Sequence, residues 1–291
     1  MAKKHIQEGT PMPPAADMWF RLKQNKAAMF GLVVVIFLIV AAIVAQFAID
    51  YSDVVEPNAD ECLQAPSREH IFGTDDKGRD LFIRVMYGAK YSLTFGIVCT
   101  LFSLLAGAAL GAAAAFFGGK VDSAITFVVD AAMCIPGTLL SLSLVAVLGK
   151  GFINLIIAIT ISSIPSFARI VRSILLTVVE QDYIEAAHAL GVSNLRIIFV
   201  HALPNAIELI VVNAAMNVSG LIISAAGLSF IGMGIQPPNP EWGAMLSDAL
   251  EYMRICPHIV IFPAIAIVLT ALSFNLLGDG LSEALDPRMK E

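Results

Sequence analysis

The 291-residue chain is 57% hydrophobic and only 14% charged, with a mean hydropathy of +0.79 and a formal net charge of −6. An ordinary soluble domain carries about a quarter charged residues, so these proportions exclude one. The apolar residues come in blocks of the roughly 20 that a bilayer crossing requires, which predicts a polytopic, all-α membrane protein with lipid as a partner. Most of the charge sits in a few loops, and nothing in it points to nucleic acid.

The N-terminal 26 residues are polar, and Arg21, Lys23 and Lys26 directly precede the first apolar run. That run, about 27–49, exceeds the roughly 7–15 residues of a signal-peptide core, so it reads as a retained span with Trp19 at the interface. Five further spans follow, near 92–117, 125–148, 152–171, 206–231 and 259–277. Small residues stud the second of them ("AGAALGAAAAFFGG"), which favours close helix packing. Pro136, Pro165 and Pro263 are expected to kink or end their helices.

Six spans place both termini on one side. The basic residues at 21–26 make that side cytoplasmic, together with Arg169, Arg172, Arg196, Arg288 and Lys290. Arg68, Lys77, Arg79, Arg84 and Lys90 in the outer segment 50–90 pull the other way. Leu81, Phe82, Val85 and Met86 form a short apolar stripe there. In the later outer segment, Asn239 is a plausible N-cap with Pro240 at the first helical position. Trp242, Met245, Leu246, Ala249, Leu250 and Met253 then share one face, as in a helix lying on the membrane or capping the bundle. Cys99 and Cys134 read as small core residues. Cys62 and Cys256 fall in outer loops, paired or as free thiols.

Catalytic and metal motifs fail one by one. "LVAVLGKG" (144–151) lacks the first glycine and the final Ser/Thr of a phosphate loop. "GLSFI" (227–231) misses the nucleophile elbow by one glycine, which leaves Ser229 with His258 as a poor candidate catalytic pair. No zinc spacing is formed by the histidines. In "GTDDKGRD" (73–80), Lys77 and Arg79 stand where a calcium loop needs oxygen ligands, so this reads as an ion-paired structural turn. Asp130, inside the third span, is expected to snorkel or to pair with a neighbouring helix. Asn213, Asn217, Ser219 and Ser224 give the fifth span a polar side, fit for a translocation path or for helix–helix bonds.

The stretch "QDYIEAAHALGVSNLRIIFVHALPN" (181–205) breaks the apolar pattern. It reads as a helix over 182–189, a turn in which Gly191 takes the left-handed conformation and Ser193 caps the next helix, and a second helix over 194–202. Leu203-Pro204 marks re-entry to the fifth span. Ala186, Ala187 and Ala189 beside Glu185 leave a smooth surface, either an amphipathic loop or a docking face.

On these residues the chain resembles the permease subunits of ATP-binding-cassette importers. Glu185, Ala186, Ala187, Gly191, Leu203 and Pro204 match the family's EAA loop. "FGTDDKGRDLFIRVMYGAKYSL" (72–93), "GLSFIGMGIQPPNPEWG" (227–243) and "NLLGDGLSEALDPR" (275–288) resemble the C-type subunit of the dipeptide/oligopeptide/nickel branch, with Gly73, Thr74, Asp75, Gly78, Arg79 and Asp80 as its loop motif. Ser282 and Glu283 depart from the Arg-Asp pair common there.

The resemblance implies a type I importer fold: a cytoplasmic segment 1–26, a first span 27–49, an extracytoplasmic loop 50–91, a five-span core 92–282 and a cytoplasmic tail 283–291. It implies a non-catalytic subunit of a prokaryotic inner membrane, holding no cofactor of its own. The implied partners are a homologous second permease, two ATPases that use ATP and magnesium, and an extracytoplasmic binding protein. Short peptides are the expected cargo, nickel or its chelates the alternative. An intramembrane enzyme and a gradient-driven carrier are the competing classes.

Overall fold

A computed structural model describes residues 14–285, and among these the regular structure is helical. Expectations for Arg288, Lys290 and the "DPR" end of the last motif lie outside the described residues. Helix α1 (Pro14–Gln24) leads into the first span, α2 (Lys26–Ala48). Asn25 joins them: its Oδ1 accepts from Ala28 N at 3.0 Å, a side-chain N-cap.

After a short α3 (Tyr51–Val55) and an irregular loop, α4 runs unbroken over 37 residues, Leu81–Phe117. At 1.5 Å per residue it is about 55 Å long, far beyond a hydrocarbon core of about 30 Å. The separate outer stripe at Leu81–Met86 is therefore the first turns of the same helix, and the boundary expected at 91/92 falls inside it. Charged Arg84 and Lys90 trim a hydropathy window without breaking a helix whose N-terminus is capped by Asp80.

The third span is not one helix. It is α5 (Gly119–Met133) and α6 (Gly137–Leu148), bent by 83° at a break that Pro136 closes as the N-cap of α6. Pro165 and Pro263 instead sit inside continuous helices, α7 (Phe152–Val179) and the last one. Helix α8 (Asp182–Ala189) and α9 (Asn194–Arg196) form the hairpin. A π-helical turn, Ile197–Ala202, carries α9 directly into α10 (Leu203–Phe230). The second hairpin helix is thus the start of the fifth span rather than a separate piece. Helix α11 (Trp242–Ala249) and α12 (His258–Leu285) complete the described chain. Among the described residues, five helices, counting 194–230 as one, are long and apolar enough to cross a membrane, and the bent pair makes a sixth.

Glycines set the helix spacing. A Cβ at Gly107 would lie 2.6 Å from Phe167 Cβ, and one at Gly111 2.6 Å from Ala168 O, so α4 and α7 meet almost backbone to backbone. Gly278 faces Met216, and Ser219 Oγ donates to Asn275 Oδ1 at 2.6 Å, so α10 and α12 run antiparallel. Gly280 against Ala28, with Gly31 against Ser273 O, does the same for α2 and α12. These pairings gather α1, the end of α12 and the hairpin at one end of the bundle, with 50–80 and 232–257 at the other. Asn25 Nδ2 donates to Glu283 Oε2 at 2.6 Å, which gives Glu283 a partner where the common family pair is missing.

Candidate functional site

The hairpin is anchored by few residues and exposes the rest. Ile184, Ala187, Ile197, Ile198 and Ala202 are buried against Ala112 and Ala115 of α4, Val171 and Leu175 of α7, and Ala206 and Ile210 of α10. His188 stacks on Phe116, with ring centroids 5.4 Å apart. The turn closes as a Schellman motif: Val192 N donates to Ala187 O at 3.1 Å and Gly191 N to His188 O at 2.9 Å. Gly191 has φ +74°, and a Cβ added there would meet nothing within 4 Å, so glycine is required for conformation rather than space. Ser193 occupies the N-cap position of α9, but its side chain makes no capping bond. Glu185 and Ala186 are exposed, while Leu203 is half-buried and Pro204 exposed at the start of α10. Leu190 (84% exposed), Leu195 and Phe199 add an uncovered apolar face. An apolar patch flanked by the exposed carboxylates of Asp182 and Glu185 is the profile of an interaction surface.

Two ion pairs tie α5 to α7 beside the hairpin. Arg172 grips Asp122 through Nε and Nη2, at 2.5 and 2.6 Å. Arg169 Nη2 bonds Asp130 Oδ1, so Asp130 pairs with a neighbouring helix. Both pairs are open to solvent to different degrees, and they border a cavity of about 260 Å³ that reaches Gly111 and Val129.

At the opposite end "GTDDKGRD" folds into a locked turn. Asp75 is its hub: Oδ1 accepts from Lys77 N at 2.9 Å and Arg79 N at 3.0 Å, and Oδ2 from Arg79 Nε at 2.7 Å. Arg84 Nε lies 3.3 Å from the same oxygen, and its Nη1 donates to Val54 O at 2.6 Å. Thr74, fully buried, bonds Glu61 O and accepts from Gln64 N. Gly73 and Gly78 both have positive φ, and a Cβ at Gly78 would lie 1.8 Å from Asn58 O. Asp80 caps α4 through Ile83 N and contacts His70 Nδ1 at 2.8 Å. That hydrogen bond raises the His70 pKa, aided by the charges of Asp80, Glu61 and Glu69, and burial opposes it. The loop is thus a turn closed by its own ion pairs and backbone bonds.

The N-cap of α11 is Glu241, not Asn239. Its carboxylate accepts from Gly243 N and Ala244 N, at 3.0 and 2.9 Å, while Asn239 Oδ1 accepts from Tyr51 and Tyr91. Burial pushes the Glu241 carboxyl above the usual range, and bonds from Gly243, Ala244 and Ser92 pull it back. The sequence signal was present, because a Glu directly before an amphipathic run can cap, but Asn-Pro was the stronger pattern. Trp242, Met245 and Ala249 are buried while Leu250 and Met253 are exposed, so α11 plugs the bundle with half its stripe. Trp242 Nε1 donates to Val85 O at 2.9 Å.

The polar residues of α10 separate. Asn213 and Asn217 each donate to the carbonyl four residues back, at 2.8 Å. Ser224 does likewise with Gly220, but it also lines a cavity of about 240 Å³ with residues of α6 and α7. Ser229 and His258 are not hydrogen-bonded to each other, so no nucleophile–base pair forms. All four cysteines are free. Cys134 is exposed rather than in the core, and Cys256 is buried with Sγ 3.7 Å from Leu63 O.

The described residues form a bundle of five or six candidate membrane spans with a short polar hairpin between two of them. Residues 92–291 match the family model "Binding-protein-dependent transport system inner membrane component", and residues 13–66 match "N-terminal TM domain of oligopeptide transport permease C". The chain belongs to this family, as an ABC importer permease of the dipeptide/oligopeptide C type and a multi-pass inner-membrane protein. It is 42% identical over 281 residues to the dipeptide transport system permease protein DppC of Alkalihalophilus pseudofirmus, covering 97% of this chain and 92% of the relative. It is 45% identical to the glutathione transport system permease protein GsiD of Escherichia coli, covering 95% and 91%. Among solved structures it resembles the MetNI methionine ABC transporter in an inward-facing conformation. The TM-score is 0.57 at 19% identity, over 71% of this chain and 97% of that one, a likeness of fold.

Proposed function

We propose that this chain is the pore-forming subunit of an importer for short peptides, driven by ATP hydrolysis on separate ATPase chains. The observation that carries the coupling claim is the hairpin itself: buried Ile184 and Ala187 fix it to three spans while Glu185, Leu190, Leu195 and Phe199 are uncovered. An ATPase seated on that face would move α7 and α10 together, because the π-helical turn joins the hairpin to α10 without a flexible link. That is rigid-body switching of a bistable bundle. ATP and magnesium belong to the ATPase partners, and a homologous second permease and an extracytoplasmic binding protein complete the assembly. The end bearing the hairpin, α1 and the end of α12 faces the cytoplasm in this reading. Cargo named for the relatives, a dipeptide and the tripeptide glutathione, supports a peptide-like substrate, with glutathione as the second reading.

Reconstitution with both ATPases, the second permease and the binding protein tests this. Gly191→Pro cannot adopt φ +74° and removes the bond to His188 O, while Glu185→Lys reverses an exposed charge without touching the core. Both are expected to insert and assemble yet to lose most substrate-stimulated ATP hydrolysis. Gly191→Asn, which tolerates the left-handed region, is expected to retain it. Coupled peptide transport at wild-type rates by both damaging variants would refute the lever.

A further inference from the structure

The cavity of about 240 Å³ at the elbow of the broken span is a gathering of hydroxyl groups from three helices. Thr138 and Ser141 come from α6, Ser162 and Ser163 from α7, and Ser224 from α10, with Ile159 and Leu221 as apolar wall. Among the described residues, no charged side chain lines it. Gly137 and Thr138 are exposed, so it opens to the surface of the chain.

The protons of the four serines are already committed. Ser163 Oγ donates to Ile159 O and Ser224 Oγ to Gly220 O, both at 2.8 Å. Ser141 and Ser162 lie 2.6 Å apart and also contact Gly137 O and Ile159 O, so their two protons serve three contacts. A hydroxyl has one donor and two acceptor lone pairs. Serines that donate to their own helices therefore present acceptors to the cavity. The volume falls below the roughly 300–1,000 Å³ of sites that enclose a whole small ligand, so it holds about one residue of a larger molecule.

We propose that this cavity is a transit subsite for the backbone N–H donors of a peptide-like substrate, with Ser163 and Ser224 as its specificity-determining acceptors. The inference rests on the peptide-import reading and adds where, and by which atoms, the chain would touch its cargo. Without a carboxylate or a cation in the lining, it reads the peptide group common to all peptides and ignores side-chain charge. Such a site is weak by design, since cargo must leave as well as enter. Ser141 and Ser162 bond each other and serve as interhelical glue, so they are left out of the test.

The experiment compares a dipeptide with its analogue N-methylated at the peptide bond, in proteoliposomes holding the complete importer. The readout is the ratio of the two transport rates, taken for wild type and for Ser163→Ala/Ser224→Ala. Selection by the delivering protein is common to both and cancels. A lost neutral hydrogen bond is worth roughly a factor of five, so the double variant is expected to reduce the wild-type preference for the N–H peptide at least threefold. An unchanged ratio, including equal slowing of both substrates, overturns the subsite and leaves peptide import standing. Failure of the wild-type importer to transport either peptide overturns the import reading and the subsite with it.

Discussion

His70 shows how a single side chain of the outer loop couples fold to pH. Its Nδ1 contacts Asp80 at 2.8 Å and its Nε2 lies 3.4 Å from Glu61, so the imidazolium is the form the loop stabilises. The folded-state pKa is above the usual histidine value, chiefly through the Asp80 hydrogen bond. The stabilisation is therefore complete below about pH 6.5, the unfolded value, and is lost as pH rises through the raised folded value. Amide exchange across 61–80 is expected to accelerate between mildly acid and alkaline pH in the wild type, beyond the intrinsic change. His70→Gln should flatten that dependence, and an identical profile in both proteins would contradict the account. Asp80 binds His70 with one oxygen and caps α4 with the other, so the loop's ion pairing and the start of the longest helix share one residue. Gly191 and Gly78 were readable as turn glycines because positive φ has a residue signature. Glu241 carried a weaker signal that Asn239-Pro240 outcompeted two residues early, because a cap depends on where the chain bends.

At the scale of elements, the contact between α4 and α7 is made by Gly107 and Gly111 on the small-residue stripe. Gly111→Leu would drive a side chain into Ala168 O and Arg172 N, both backbone atoms that cannot swing aside. Overpacking of this kind costs about 1–3 kcal/mol. The variant is expected to reach the membrane but to unfold in detergent at distinctly lower temperature or denaturant concentration, whereas wild-type stability would mean that the helices are not held this closely. The spans themselves were legible because a run of about 20 apolar residues has one common solution in lipid, with every backbone group bonded inside a helix. The break between α5 and α6 was not, because hydropathy sums over a window and is blind to direction. Pro136 was marked as a kink or an end, and the fold makes it an 83° elbow, with Ser141 of α6 bonded to Ser162 of α7. Pro165 and Pro263 carry the same local signal and stay within continuous helices.

For the whole molecule, antiparallel pairing of α2 and α10 with α12 assembles the hairpin and the Asn25–Glu283 contact at one end and the "GTDDKGRD" lock at the other. This yields a prediction about sidedness. Leu190→Cys, at a position 84% exposed on the hairpin, is expected to react with a membrane-impermeant maleimide only in inside-out vesicles of cells that express the permease without its ATPases, which would otherwise cover this face. The native exposed Cys62 should react only from the outer face of intact cells. Labelling of both from the same side would break the topology.

Composition and span length alone determined that the chain is a helical bundle in lipid, because lipid permits so few backbone solutions. The residues of 181–205 likewise determined that a polar hairpin interrupts it. Tertiary structure decided the rest. It showed that the hairpin's second helix is continuous with the fifth span, so that a push on one is a push on the other. It drew Ser224 away from Asn213 and Asn217 into a cavity with Thr138 and Ser163. Those three hydroxyls lie on different helices, and no periodicity within one helix can report what the crossing of three brings together.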